Sequence, residues 1–548
     1  MVVSIALSSP NASHLTVRDR ERQRTGTPGI GWMPCDDSSF GSTCYSARRM
    51  IILSLIERDM AAMRREILSA PERAGAVEVR LDTLPGVDPT LLFEGAPRPL
   101  VATCRRRADG GFFRGTEKAR REVLWSAVAA GASYVDVEFG TASAQLASDL
   151  AATPGVGVIL SHHDRKGMPR DLDGLYRRMA RVEGVKAIKI VVTATRPADL
   201  VTIRDFLARH RRGTPPLISF CSGVTGVMSR ILALEWGSWA TYAAAGFGRE
   251  AAPGQTSLPD LVGMYRIEDV DDDTRFAALI GSPLAHSLSP AIHNAAYHAD
   301  QVNFRYVPMD LPGARGLADL KKVAVALKIR GFSVTAPWKI KVMKHLDVIE
   351  PSAGKIGAVN TIVCDGGRLL GFNTDASGGL AAMQEALGDL GLTVRGLTVA
   401  VVGSGGSARA LAHAAAGAGA KVLVASRSIA PGRALARAAG ARHVPLSQLS
   451  RERYDVLVNC TPVGMGADAM PVSDRAIKGR LVYDVIYHQE ATSLIKKARA
   501  RGIATLGGLE MLVRQAAEQY TLFTGRTAPI DLMRDAACLA RGKVNGLG

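Results

Sequence analysis

Between residues 50 and 265 the chain alternates, eight times in succession, a short apolar run with a longer stretch of helical character. The runs fall at 51–55, 76–80, 100–104, 134–137, 157–161, 187–192, 217–221 and 241–246. A strand separated from the next by a helix pairs in parallel with its neighbour, and eight such units close into a (β/α)8 barrel. Chemistry in such a barrel gathers at the C-terminal strand ends. Polar residues cluster there in this sequence. The second run carries Glu78 and Arg80 and leads to Asp82, Arg105 follows the third, and His162-His163-Asp164 follow the fifth. Lys189 lies inside the sixth, Arg230 behind the seventh and Gln255 beyond the eighth.

Lys189 is the sharpest of these signals. Set in Ala-Ile-Lys-Ile-Val-Val, it must either snorkel to solvent or carry a destabilised charge. Desolvation and nearby arginines are expected to lower its pKa, leaving a neutral amine able to attack a ketone. His163, which titrates near neutrality, is suited to carrying the protons of imine formation and elimination. His162 is placed on the opposite face, as a packed neighbour.

The motifs Glu78-x-Arg80-x-Asp82, Ser161-His-His-Asp164, Lys189, Met228-Ser-Arg230 and Ala252-Pro-Gly-Gln255 resemble those of type I 3-dehydroquinate dehydratase. The resemblance implies a Schiff base on Lys189 and His163 as general acid and base for loss of water. Arg230 and Gln255 would then bind the substrate, with Glu78, Arg80 and Arg105 completing the pocket and the Gln255 loop acting as a lid. Two departures stand out: Ala251 falls where the family often has a serine, and Asp109 where a glutamate is common.

Beyond an acidic stretch at 269–274 the pattern changes. Strands are expected at 276–280, 304–308 and 331–335 and a helix at 290–299, forming a small α/β domain. Ser287 and Ser289 precede the helix, a good place to hold a carboxylate. Lys339 and Asp375 are the expected catalytic pair, because a ketone accepting hydride needs a proton donor at its oxygen. Asn360 and Thr361 offer matching donors and acceptors for ring hydroxyls, and Thr335 is a further expected substrate contact.

Residues 397–402 read as a buried strand running into Gly403-Ser-Gly405-Gly406-Ser407-Ala408-Arg409, a G-x-G-x-x-A loop that opens a helix at 408–416. This is the pyrophosphate cradle of a dinucleotide fold. The next strand ends in Ser426-Arg427-Ser428, where an NAD site would place an acid. Arginine and hydroxyls suit a 2′-phosphate instead, so NADP(H) is the expected cofactor.

These segments, with Ser333-Val-Thr-Ala-Pro-Trp-Lys339, Asn373-Thr-Asp375 and Gly507-Gly-Leu-Glu-Met-Leu512, resemble shikimate dehydrogenase. The resemblance implies that Tyr487 and Gln515 contact substrate and that Gly508 and Met511 line the nicotinamide pocket. Core packing is an equal reading for Met511. Ser333 stands where stand-alone members carry asparagine and matches the plant fused enzyme instead. The two halves therefore resemble enzymes of successive steps, converting 3-dehydroquinate to 3-dehydroshikimate and then to shikimate. A quinate-preferring dehydrogenase and a catalytically silent metabolite sensor are the alternatives.

The expected fold class is α/β: a barrel at 50–268, a linker at 269–275, a substrate-binding domain at 276–377 and a Rossmann-type nucleotide domain at 378–526. A final helix at 527–545 is expected to pack back on the substrate domain. Residues 1–49, rich in Ser, Thr, Pro and Gly, read as a disordered tail or a mis-assigned start ahead of Met50. Their acids argue against a transit peptide, which favours the cytoplasm over a plastid stroma. The formal charge of +17 comes largely from scattered arginines without interleaved aromatics. It favours anionic small molecules over nucleic acid. The seven cysteines form no C-x-x-C pair, which points to a reducing compartment and away from structural zinc. No apolar run is long enough to span a membrane, and oligomeric state is not legible.

Overall fold

The computed structural model describes residues 50–140, 143–466 and 468–545, and only the backbone of the last three. The segment 1–49, with Cys35 and Cys44, lies outside the described residues.

Eight parallel strands form the first sheet: β1 (Met50–Leu55), β2 (Ala76–Arg80), β3 (Leu100–Thr103), β4 (Tyr134–Glu138), β5 (Gly157–Asp164), β6 (Ala187–Thr193), β7 (Leu217–Ser222) and β8 (Ala240–Ala244). Neighbours follow chain order from β1 to β7, and β8 pairs with β1. Between β7 and β8 the ring is drawn together just before β8, where Trp239 N donates to Leu217 O at 2.8 Å and Ser219 N to Ser238 Oγ at 3.1 Å. Polar caps start the surrounding helices: Asp59 accepts from Ala62 N, and Thr116 from Ala119 N. After β8 the pattern departs from expectation. The chain runs through a long loop into one π-helical turn, Asp260–Met264, and the eighth unit has no full helix. That loop carries Gln255 over the mouth.

The second sheet contains β9 (Arg275–Gly281), β10 (Phe304–Asp310), β11 (Ile329–Val334), β12 (Val348–Ile349), β13 (Thr361–Asp365) and β14 (Arg368–Phe372), in the order β10-β9-β11-β13-β14-β12. The third contains β15 (Thr398–Val402), β16 (Lys421–Ser426), β17 (Arg442–Pro445), β18 (Val456–Asn459), β19 (Leu481–Asp484) and β20 (Ala504–Leu506). It is wholly parallel, in the order β17-β16-β15-β18-β19-β20, which is the doubly wound arrangement of a nucleotide domain.

The helices Thr374–Gly388 and Leu509–Thr524 run side by side between the two smaller sheets. The second of them buries Leu512, Val513, Ala516, Tyr520 and Phe523 in one core with Ala277 and Leu279 of β9. It thus belongs by packing to the substrate sheet, although it follows the nucleotide strands in sequence. Helix Ile530–Asn545 adds Met533 and Ala537 to the same core, beside Ile292 and Tyr297.

One apolar core runs without a break from the barrel into the substrate sheet, joining Ile203 and Phe206 to Val307, Met309 and Leu320. Its rim is pinned by Arg196, which forks onto Asp319 with Nε 2.7 Å from Oδ2. No helix among the described residues is long and apolar enough to cross a membrane.

Candidate active sites

At the barrel mouth the residues expected from the sequence surround a cavity of about 170 Å3, lined by Glu78, Arg80, Arg105, His163, Lys189, Arg230 and Gln255 among others. Alternation puts them there. In β2, Glu78 and Arg80 point inward two residues apart, as Lys189 does in β6 between Ile188 and Ile190.

Behind the cavity lining lies a residue absent from the expected set, Asp136 of β4, its side chain fully buried against Arg105 and Lys189. Its Oδ1 accepts from Arg105 Nη2 at 2.8 Å and Ser161 Oγ at 2.7 Å, while Oδ2 lies against Lys189 Nζ. Burial opposes its charge, but Arg105 and Lys189 hold its carboxyl well below the usual carboxylate range. The direct partner of Lys189, only 3% exposed, is therefore this carboxylate rather than an arginine alone. The salt bridge holds the ammonium, and attack on a ketone requires the proton to be handed on first. Tyr242 completes the lysine's surroundings, its ring centroid 4.5 Å from Nζ.

His163 presents Nδ1 to Arg105 Nη1 at 2.8 Å. Guanidinium only donates, so Nδ1 accepts and Nε2 carries the proton. Burial, together with the Arg105 and Lys189 charges, lowers its pKa well below the ordinary histidine value, so the ring is neutral. Glu78 accepts from Ser54 Oγ at 2.6 Å and Thr103 Oγ1 at 2.9 Å, and Gln255 reaches the same Ser54 at 3.2 Å. Arg80 forks onto Asp82 at 2.9 and 2.7 Å. Arg230 is 2% exposed, and its guanidinium lies 4.5 Å from the centre of the Phe220 ring. Burial lowers its pKa to about 10, and its Nε has no partner among the described residues, so an arriving anion would relieve it.

The two departures take different places. Ala251 N donates to Gln255 Oε1 at 2.7 Å, and Asp109 pairs with Arg106 at the rim. The signal for Asp136 was present in Val135-Asp-Val-Glu138: two acids at period two in a strand otherwise apolar.

In the second half, Lys339 Nζ lies 2.5 Å from Asp375 Oδ2 and 3.3 Å from Ser407 Oγ. Asp375 sits in the first turn of helix Thr374–Gly388 because Asn373 caps that helix, accepting from Ala376 N at 3.1 Å. Asn360 Nδ2 donates to Asp375 Oδ1 at 2.9 Å and lies 3.3 Å from Gln515 Oε1, while its Oδ1 accepts from Thr374 N at 2.7 Å. One asparagine thus orients the Asp375 carboxylate and ties it to helix Leu509–Thr524. That helix supplies a further residue, Gln519, one turn beyond Gln515. It donates to Thr361 Oγ1 at 2.9 Å and accepts from Ser333 Oγ at 2.7 Å. The four-residue spacing of the two glutamines was the signal for it.

Ser289 opens helix Ser289–Ala299, which has no side-chain cap. Ser287 Oγ accepts from Ser289 N at 3.3 Å. Tyr487 bonds to Ser287, and burial raises its phenol to about 12, keeping it a neutral donor. Thr335 follows β11, its amide donating to Ile280 O at 2.8 Å.

Whether a dinucleotide fits is decided at the turn after β15. Gly403 has φ 117°, and a Cβ on Gly405 would meet nothing within 4 Å, so the backbone is bare there. Helix Gly406–Gly417 starts two residues earlier than expected and also lacks a side-chain cap, leaving its first amides for an anion. Arg427 is exposed at the end of β16. These features fit a phosphorylated dinucleotide.

The neighbouring residues are placed less uniformly. A Cβ on Gly406 would lie 2.8 Å from Lys339 Cδ, so that glycine makes room for the catalytic lysine. Ser426, 4% exposed, turns inward, donating to Ser428 O at 2.9 Å beside His443 Nε2 at 3.0 Å, so its hydroxyl is spent within the fold. Arg409 reaches toward Gly357 of the substrate side. Met511 is buried in the core under helix Thr374–Gly388, and Gly508 packs against the Val485 carbonyl. Ala408 is buried and Ser407 faces Lys339.

Comparison with known proteins adds the following. The model of type I 3-dehydroquinase matches residues 51–272, and that of the shikimate dehydrogenase substrate binding domain 279–362. The shikimate 5′-dehydrogenase C-terminal domain matches 508–538, and a coenzyme F420-dependent NADP oxidoreductase model matches 398–488. The chain is 35% identical over 483 residues to the chloroplastic bifunctional 3-dehydroquinate dehydratase/shikimate dehydrogenase of Arabidopsis thaliana, covering 84% of this chain and 79% of that one. It is 40% identical over 277 residues to the shikimate dehydrogenase (NADP(+)) of Citrifermentans bemidjiense, covering 48% of this chain and 94% of the relative. Among solved structures, shikimate 5-dehydrogenase of Thermus thermophilus with NADP(H) and shikimate aligns at TM-score 0.43 and 35% identity, over 49% of this chain and 100% of that one.

Proposed function

The chain belongs to the family of bifunctional 3-dehydroquinate dehydratase/shikimate dehydrogenases, and from that premise we propose how its residues divide the two reactions. In the barrel, Lys189 adds to the ketone of 3-dehydroquinate. The carbinolamine loses water to an imine, which acidifies the neighbouring C–H. Removal of that proton and departure of the β-hydroxyl as a second water give the unsaturated imine. Hydrolysis then returns one water, frees 3-dehydroshikimate and restores the lysine, for a net loss of one water.

The resting tautomer of His163 sets a condition on this sequence. Nδ1 is the bare, basic nitrogen and Arg105 occupies it, so Arg105 must leave Nδ1 before the ring takes a proton there, turning its fork to the substrate's oxygens. Asp136 balances the resting ammonium, and once that proton has been passed on and the amine has added, it faces the protonated imine in the same place. Arg230, Gln255, Glu78 and Arg80 hold the carboxylate and hydroxyls.

In the second half, bound NADPH supplies hydride to the ketone carbon of 3-dehydroshikimate. Lys339 donates the proton to the ketone oxygen, and Asp375 fixes its ammonium there. Asn360, Gln515, Thr335 and Tyr487 orient the ring, and Ser287 and Ser289 hold its carboxylate. The 2′-phosphate is met by Arg427 rather than by Ser426. The reading extends to a reducing compartment such as the cytoplasm: Cys104, Cys221, Cys364, Cys460 and Cys538 are all free thiols.

The observation that carries the proposal is the pairing of Lys189 and Lys339 each with its own carboxylate at the expected mouths of two sites. The test is to give the purified protein 3-dehydroquinate and NADPH, follow NADPH loss and identify the product by mass. Shikimate is expected. Quinate would reassign the reductase, and 3-dehydroshikimate with NADPH intact would leave only the barrel active. No change at all would mark a binding protein without turnover.

A further inference from the structure

A hollow of about 420 Å3 lies away from both sites. It sits at the far end of the substrate sheet, where β9 and β11 begin and the β13–β14 hairpin turns at Gly366-Gly367. The reductase groups lie at the opposite end, roughly 20 Å away along the seven residues of β9.

Five cations line this hollow: Arg275, Lys321, Lys328, Arg330 and Arg368. They come from four separate elements, and the lining contains no carboxylate. Only Lys321 has an ion-pair partner, Asp347 at 2.8 Å. Lys328 donates to a neutral carbonyl, that of Asp272, at 2.6 Å. Arg275, Arg330 and Arg368 form no ion pair among the described residues. Lys328 also holds a left-handed backbone (φ 55°), a position that favours glycine. Like charges spread over a convex face repel little. Cations drawn around a concavity with no carboxylate in its lining lower the energy of an anion placed between them. The volume is that of a small-molecule site, and three guanidinium forks suit oxygens presented in pairs.

We propose that this hollow binds a compact organic polyanion, of two or more negative charges, through phosphoryl or carboxylate oxygens. The site adjoins the linker between the barrel and the dehydrogenase, since Lys328 and Arg275 touch or end that linker. It does not depend on the catalytic assignments.

The test is calorimetric titration of the full-length protein, with NADP+ saturating and at low ionic strength, using inorganic pyrophosphate and, separately, citrate. The native protein is expected to bind one equivalent of at least one probe, at least tenfold more tightly than the Arg275→Ala/Arg330→Ala/Arg368→Ala variant. Which probe shows that loss separates phosphoryl from carboxylate recognition. Equal affinity of the native and variant proteins for both probes, or no binding by the native protein, would overturn the proposal. Both catalytic activities of the variant, which touches neither site, report that it folds. The single exposed substitution Arg368→Glu provides the same comparison if the triple variant does not fold.

Discussion

The two sites solve the problem of attacking a ketone in opposite ways. In the barrel the proposed reacting group is the protein's own lysine, and it is surrounded by charge: Glu78, Arg80, Arg105 and Arg230 line the same cavity and Asp136 lies behind it. In the dehydrogenase half the reactive group is carried by a cofactor. The residues around Lys339 and Asp375 are mostly neutral amides and hydroxyls: Asn360, Thr361, Thr374, Gln515 and Gln519. A buried nucleophile that must change its charge needs counter-charges on every side, or the cost of burial exceeds the gain. A site that only orients a substrate and gives one proton needs donors and acceptors at fixed distances. The first arrangement suits a closed barrel, and the second suits a cleft between two sheets.

Replacing the two lysines alike tests this difference most directly. Lys189→Met is expected to lower dehydratase kcat by about 10^5-fold, because no other group forms the imine. Lys339→Met should cost the reductase about 10^3-fold, the worth of one proton donor. Each variant should leave the other activity unchanged when its own substrate is supplied. A Lys189→Met enzyme within tenfold of native would mean that the barrel dehydrates without covalent catalysis.

The two carboxylates should differ in stability as well as rate. Asp136→Asn leaves Arg105 and Lys189 buried without their counter-charge and should cost about 3–5 kcal/mol. Asp375→Asn strands only the partly exposed Lys339 and should cost about 1 kcal/mol. Urea midpoints of the two variants measure this, and equal losses would erase the distinction.

At the cofactor end, Arg427→Asp should raise KM for NADPH about 10–100-fold with NADH little affected, as one charge-assisted contact is lost. The same comparison with Ser426→Ala should show no NADPH-specific effect, since that hydroxyl is turned inward.

The most gradual effect is on acid stability. His163 in the barrel and His293 in the dehydrogenase are both buried and neutral, His293 with its pKa lowered to about 3 by burial. The unfolded chain binds protons on these residues near pH 6.5 and the folded chain does not. Stability therefore falls as pH drops below 6.5, by up to about 1.4 kcal/mol per pH unit for each histidine. His293→Gln should flatten that slope in denaturant melts between pH 6.5 and 4. An unchanged slope would place the protons elsewhere.

Much of the two sites was legible because strand-end chemistry is periodic. Glu78, Arg80 and Lys189 declare themselves as charges at inward positions of apolar strands, and Asn373 announces the helix that carries Asp375. Asp136 was overlooked for want of a partner within its own strand, since its meaning depends on Arg105 and Lys189, 31 and 53 residues away. Ser426 shows the converse. Its place at a strand end is right for a ribose, but the rotamer is taken by Ser428 and His443. Gly406 lies in the right motif, yet the atom that excludes a side chain there belongs to Lys339.

Taken by itself, the sequence determined the alternation of strands and helices, the order of the two enzymatic halves, and which residue types stand at the C-terminal strand ends. Those properties follow from backbone periodicity and local capping, which act over a few residues. The tertiary structure alone decided which charges meet, which tautomer His163 holds, that helix Leu509–Thr524 joins the substrate sheet, and that cations from four elements face one hollow. Such contacts join residues far apart in the chain, and their energies depend on burial and distance, which are set only when the sheets close.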